Sequence, residues 1–189
     1  EANKDLDAKM LTLSNGIKVI YKKTNFKNDE IVFRVSQWGG INNLDLQDVT
    51  AAKYFSIVNN LGLGKHRAND MPKLLNGVEL NAFMNVMPYQ LSLFGNSSAK
   101  DFEKLLQVIH LKLTQPNFDA EDFDGNKENF KSQVAGLIKN PSYRFTDTVN
   151  KFKANNNKRL TGLPIADEVQ ALQLSNVKEL YGKLTSNLN

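Results

Sequence analysis

The chain has 189 residues, enough for one domain with a real core, since roughly 150 residues already bury about two thirds of their unfolded surface. Hydrophobic residues make up 41% and charged residues 23%, which excludes the composition of a disordered chain, and the lack of cysteine excludes disulfides, thiolate zinc sites and cysteine nucleophiles. Net charge is +4, but the 24 basic and 20 acidic residues are spread along the chain rather than gathered into a phosphate-tracking face, so nucleic-acid binding is not expected.

No apolar run approaches the roughly 18 residues of a membrane span, so none is expected. The charged segment from Glu1 to Met10 lacks the apolar centre of a signal peptide. Periplasm and cytosol fit the composition equally well.

Leu11 and Leu13, then Asn15-Gly16, then Ile17, Val19 and Tyr21 read as two strand segments around a tight turn, because Asn-Gly supplies the positive φ angles a hairpin needs. Ile31, Phe33 and Val35 alternate with Val32, Arg34 and Ser36, predicting a strand that stops at Trp38-Gly39-Gly40. From Val49 to Leu61 the residues Ala51, Phe55 and Val58 recur at helical spacing, with Gly62 and Gly64 as the stop. Val78 to Met84 and Tyr89 to Leu93 alternate strictly across the link Asn85 to Pro88 and predict a second hairpin.

Ser98 is placed to cap a helix carrying Phe102, Leu105, Leu106, Ile109 and Leu113 on one face, with Pro116 just past its end. Asp119 starts another, running through Phe123, Phe130, Val134, Leu137 and Ile138 to Asn140-Pro141, with more helix through Phe145, Val149 and Phe152. Asn155 to Arg159 reads as an exposed loop, and Ser175 as the cap of a short helix with Val177, Leu180, Tyr181 and Leu184. Strands mixed with long helices predict an α+β fold, a mainly antiparallel sheet with helices packed on it.

Chemistry is sparse. The two histidines, His66 and His110, stand 44 positions apart, on a basic loop and within an amphipathic helix, which does not make a zinc pair. Asp119, Glu121, Asp122 and Asp124 gather at a helix start, where the helix dipole accounts for them and calcium is the rival explanation. Gly62-Leu63-Gly64-Lys65 lacks the spacing of a phosphate loop, and no serine sits in a hydrolase elbow.

Several segments, in order, resemble the insulinase/pitrilysin/mitochondrial-processing-peptidase family of zinc peptidases. They are Leu13-Ser14-Asn15-Gly16-Ile17-Lys18-Val19-Ile20, the strand closing at Gly39-Gly40 with the helix after it, Leu80-Asn81-Ala82, Pro116-Asn117-Phe118, and the long helix ending at Asn140-Pro141. The resemblance covers most of the chain, and it implies the half-domain fold of those metallopeptidases. In the family's catalytic domain the first helix carries His-x-x-Glu-His, and a glutamate about 76 positions on completes the zinc site.

Laying the family's post-motif glycine on Gly62 puts the three motif positions at Lys53, Ser56 and Ile57, on one face of a continuous helix. Laying the helix-ending proline on Pro141 puts the third ligand at Gln133, which lies 76 positions after Ile57, and a further family glutamate falls on Asn126. The resemblance thus implies a domain with degenerate positions Lys53, Ser56, Ile57, Gln133 and Asn126, no catalytic residue, no metal ligand and no enzyme activity of its own. The expected cofactor, zinc, belongs to a catalytic half.

The expected partners are that catalytic half or subunit and a peptide substrate enclosed between the halves, with a homodimer through the chamber face left open. The strand from Leu80 to Asn85 matches the family's substrate edge, which makes Asn81, Ala82 and Phe83 the candidate peptide-binding residues. Residues 1–189 are expected to form a single peptidase-like domain within a larger multidomain protein. The rival is a scaffold or adaptor domain with no remaining link to proteolysis.

Overall fold

Residues 2–3, 7–159 and 164–186 are described by the structure, a computed structural model. The chain divides into two compact units, one reaching to Glu30 and one starting at Ile31. In the first, β1 (Ala2–Asn3), β2 (Ala8–Thr12) and β3 (Lys18–Tyr21) form an antiparallel sheet in that order, with Leu11 opposite Val19 and Met10 opposite Ile20. The predicted turn is present. Gly16 sits at φ +86°, Leu13 N–H donates to the Ile17 carbonyl at 2.8 Å, and the Asn15 side chain accepts from Ile17 N–H at 3.2 Å.

The second unit is built on β4 (Ile31–Trp38). At its end Gly40 touches the turn of the second hairpin so closely that any Cβ there would strike the Met87 carbonyl oxygen, which is why this strand ends in glycine. Next comes α1 (Val49–Lys53), followed by a 3₁₀ helix from Phe55 to Asn60. The predicted continuous helix is therefore broken. Tyr54 is held elsewhere through its hydroxyl, and the Asn59 side chain is spent on a neighbouring strand, so the chain tightens to three residues per turn after Lys53.

The short strand β5 (Gly62–Leu63), a 3₁₀ turn at Ala68–Asp70 and α2 (Met71–Leu74) lead to the hairpin of β6 (Leu80–Val86) and β7 (Gln90–Ser97). The main sheet is antiparallel throughout, in the order β4-β7-β6, so β6 is an edge. One face buries Met84, Val86, Leu91 and Leu93, while Val32, Phe83 and Trp38 stand on the exposed face, as alternation requires.

The helices that follow are α3 (Phe102–Thr114), α4 (Ala120–Ile138) after the short strand β8 (Pro116–Asn117) that pairs with β5, α5 (Pro141–Lys153), α6 (Ala166–Ala171) and α7 (Leu174–Thr185), and all but α5 contribute buried residues to the core. Asp119 caps α4 as predicted, accepting from Asp122 N–H at 3.0 Å, and Asn140 caps α5 by accepting from Ser142 N–H at 3.0 Å. Ser98 and Ser175 do not cap. Ser98 still bonds to the sheet through its N–H, and its hydroxyl donates to Asp101, the residue that stands at the helix start. The Ser175 hydroxyl turns to the Asn176 side chain, and Gln173 precedes α7.

The core gathers Phe55 of the 3₁₀ helix with Leu105, Ile109, Phe123, Val134, Val177 and Leu180 of α3, α4 and α7 against the sheet. At its centre Phe55 is 0% exposed and stacks on Tyr181 at 5.7 Å, and Tyr181 meets the edge of Phe118 at 5.3 Å. The loop predicted after α5 is exposed up to Arg159, whose guanidinium is instead half-buried and donates to the Ile41 and Leu44 carbonyls at 2.7 and 2.6 Å.

Candidate functional site

Among the described residues no side-chain hydrogen bond joins the residues matched to the zinc motif to one another. Lys53 closes α1 and its ammonium donates to Glu168 of α6 at 2.8 Å. Ser56 is exposed, whereas Ile57 is 3% exposed within the core, so the expectation that the three share one helix face is corrected. The change from α to 3₁₀ geometry after Lys53 supplies the physical reason. Gln133 is exposed on α4, next to the buried Val134, and among the described residues no hydrogen bond joins it to Lys53 or Ser56.

Asn126 does reach the motif segment, since its side-chain amide donates to the Asn60 carbonyl at 3.1 Å and to its own helix at Asp122. An ammonium already paired, a solvated hydroxyl, a buried hydrocarbon and a solvated amide form a donor set that does not fit a zinc ion, which takes imidazole, thiolate or carboxylate. Among the described residues no three His, Asp or Glu side chains are gathered for a metal.

What stands at Lys53 is a lock between α1 and α6. Glu168 accepts from Lys53 and also from the Tyr54 hydroxyl at 2.5 Å, while that hydroxyl accepts from Ile165 N–H at 2.9 Å. Burial pushes the Tyr54 phenol up, and the adjacent Glu168 adds to the shift. Burial alone would raise Glu168, but the hydrogen bonds from Lys53 and Tyr54 outweigh it and hold the carboxyl below its ordinary range.

The acidic start of α4 holds a cation from within the chain. Arg67 Nη2 lies 3.1 Å from Asp119, 3.0 Å from Glu121 and 2.8 Å from Asp122, so an internal guanidinium, beyond the helix dipole, explains the cluster. Asp122 is buried, and the Ala68 backbone N–H, donating at 2.8 Å, does most to hold its carboxyl below the usual range, with Arg67 next. Because folding lowers this pKa, the stabilisation is complete above the unfolded value of about 4 and is lost as pH falls through the lower folded value. Asp122→Asn is expected to lower stability by about 1 kcal/mol at pH 7. Urea unfolding at pH 7 and pH 3 should show that gap closing in acid.

The three peptide-binding candidates lie together on the edge strand. Glu79 and Met87 pair toward β7, since Ser98 N–H donates to the Glu79 carbonyl at 3.0 Å and Met87 N–H to the Gln90 carbonyl at 2.8 Å. Odd-numbered residues of β6 therefore turn to β7, and even-numbered ones present their N–H and C=O to the open edge. Met84 follows this rule. Its N–H donates to the Asn59 side-chain oxygen at 2.7 Å, and its carbonyl accepts from the Asn59 side-chain nitrogen at 2.9 Å.

Asn59 thus closes the edge at Met84 and leaves Leu80 and Ala82 with their outward main-chain groups beside a cavity of about 510 Å³. Asn81 and Phe83 flank Ala82 on the exposed face. The Asn81 amide donates to Asn96 at 3.2 Å, and Phe83, 46% exposed, tilts against Phe94 with ring centres 6.1 Å apart.

The lining of that cavity includes a lysine with an unusual setting. Lys112, in the last turn of α3, is 8% exposed, and among the described residues its ammonium has no hydrogen-bond or ion-pair partner. Burial pushes its pKa down to about 8. The signal was its spacing, three after Ile109 and four after Val108, which puts it on the buried face.

No family model matches the sequence, and no curated protein matches it. Solved structures do share the fold. The periplasmic protease PqqL from Escherichia coli matches with a TM-score of 0.74 and 12% identity over 98% of this chain and 21% of its own. A protease from Helicobacter pylori matches with a TM-score of 0.71 and 15% identity over 94% of this chain and 43% of its own. A mutant of the ferredoxin protease FusC, in complex with Arabidopsis ferredoxin, matches with a TM-score of 0.71 and 13% identity over 98% of this chain and 20% of its own. The chain spans less than half the length of each of these chains. Its α+β fold, antiparallel sheets with helices packed on them, is shared with part of each of these proteases.

Proposed function

We propose that this chain is a non-catalytic peptidase-like domain that pairs with a zinc-bearing half and positions an extended peptide along the open edge of β6. The observation that carries the reading is the edge itself: Leu80 and Ala82 offer to a cavity outward main-chain groups with no partner among the described residues, in a fold shared with proteases. The donor set at Lys53, Ser56, Ile57 and Gln133 supports catalytic silence, because none of the four supplies an imidazole or carboxylate. The peptide would enter as an added strand, gaining backbone hydrogen bonds at Ala82 and contact with Phe83.

The first experiment measures zinc content and casein cleavage, with the protein alone and with a co-purified His-x-x-Glu-His subunit. Zinc and turnover are expected only in the assembly. Cleavage by the protein alone, abolished by a chelator, would overturn the reading. Ala82→Pro tests the edge, since it removes an outward N–H while leaving the ladder to β7 intact. It is expected to weaken peptide binding about tenfold or more, read by fluorescence anisotropy, with little change in thermal unfolding. Unchanged affinity in Ala82→Pro, together with partner binding that ignores peptide, would favour the scaffold or adaptor role.

A further inference from the structure

The cavity beside β6 has an uneven chemistry. Its walls are apolar side chains such as Leu61, Leu75 and Val108, together with amides such as Asn69 and Asn126, and among the described residues Lys112 is the one charged side chain lining it. A lysine on the buried face of a helix is costly unless something compensates its charge, and here the described residues supply no carboxylate. Lys112 also lines a narrow void of about 10 Å³ behind the cavity, against Met84 and Tyr181, and the Tyr181 hydroxyl donates to the Lys112 carbonyl and not to its side chain.

Lys112 therefore lines the same space as Leu80 and Ala82, whose outward main-chain groups have no partner among the described residues. At about 510 Å³ that space suits a few peptide residues and no more. We propose that Lys112 is a carboxylate anchor: a peptide laid along the edge of β6 directs one carboxylate into the cavity and onto the Lys112 amine. This rests on the edge-strand reading given above and narrows it to peptides that bring an anionic group.

Geometry supplies both parts of the recognition. The open edge fixes the direction and depth of the strand through sequence-independent hydrogen bonds, and the cavity selects what hangs from it. An anionic group buried there meets a cation with no competing partner among the described residues, which is the setting in which a charge-assisted hydrogen bond counts most. A bound carboxylate also favours the protonated amine, opposing the effect of burial that brings Lys112 down to about 8. The carboxylate can be a peptide C-terminus or an Asp or Glu side chain, and the two sources are separable.

The test uses an N-terminally labelled decapeptide of Ala, Thr and Val in three forms: amidated and uncharged, with a free C-terminus, and amidated with one Glu placed at each position in turn. Anisotropy is measured with the protein, Lys112→Met and Ala82→Pro. At least one carboxylate peptide is expected to bind the unmodified protein tenfold or more tighter than the uncharged one. Lys112→Met should lose that preference and still bind the uncharged peptide as before. The arm that shows the preference identifies the source.

A direct readout accompanies affinity. The side-chain ¹³Cε signal of Lys112, assigned by its disappearance in Lys112→Met, should shift with the carboxylate peptide and stay in place with the uncharged one. Equal binding of all three forms, or a preference that survives in Lys112→Met, overturns the anchor and leaves the edge standing. Loss of binding confined to Lys112→Met, with Ala82→Pro unaffected, keeps the anchor and overturns the edge. Failure of every peptide to bind overturns both.

Discussion

Lys112→Met is expected to make the protein more stable at neutral pH, by about 2–3 kcal/mol, because folding currently drags an ammonium out of water. Burial places the Lys112 pKa near 8 against about 10.5 in the unfolded chain. Below pH 8 both states are protonated and the full penalty is present. Between the two values the unfolded chain holds more protons than the folded one, so stability rises with pH, and above about 10.5 the penalty is gone. Methionine keeps the unbranched stem and the packing while discarding the charge. Urea unfolding at pH 7 and pH 9.5 is the measurement, and the gain should narrow at the higher pH. A variant less stable than its parent at pH 7 would mean that the amine has a partner in the folded protein. A residue that weakens the fold yet fills a functional position is what a trade of stability for binding looks like.

Phe55→Ala should lower the unfolding free energy by about 4 kcal/mol, the largest loss expected from any single truncation described above. The ring is completely buried and stacked on Tyr181, which is itself wedged against Phe118, so its removal leaves a void that three elements cannot close together. The urea midpoint should fall with an unchanged slope, since the surface exposed on unfolding barely alters. An effect under about 1 kcal/mol would mean that α7 moves in to fill the gap, and so that its docking is soft.

Local pattern was legible where one short-range rule dominated. Alternation found β4, β6 and β7, and the Asn15-Gly16 turn and the Asp119 cap fell where turn and capping chemistry put them. Helix spacing failed at Val49 to Leu61 because two long-range claims on the chain outweighed it: Tyr54 is held by Glu168 across more than a hundred residues, and Asn59 by Met84 of the edge strand. The Ser98 cap failed because Ser98 was still engaged with the sheet, and the Ser175 hydroxyl turned to the Asn176 side chain.

At the site, the order of segments pointed to β6, and the structure places Asn81, Ala82 and Phe83 on an edge with a cavity beside it. The partners of Lys53 and Asp122 were not legible, because nothing in the spacing of Lys53 to Glu168 or Arg67 to Asp122 marks them as pairs. Lys112 was legible in principle. A lysine on an apolar helix face breaks the pattern that located the helix, and such a break is itself a signal.

The pairing of Lys53 with Glu168 and Tyr54 has a consequence for anyone wishing to install a metal in this fold. Substituting histidine at 53 would strip Glu168 of its cation while Tyr54 still pins it, and substitution at 57 would press an imidazole into the core. The changes become acceptable only together, with α6 altered at the same time and the turn after Lys53 rewound into α-helix. A domain wired in this way resists change at two positions: the steps at 53 and 57 are individually harmful, whereas the exposed Ser56 and Gln133 present no such barrier.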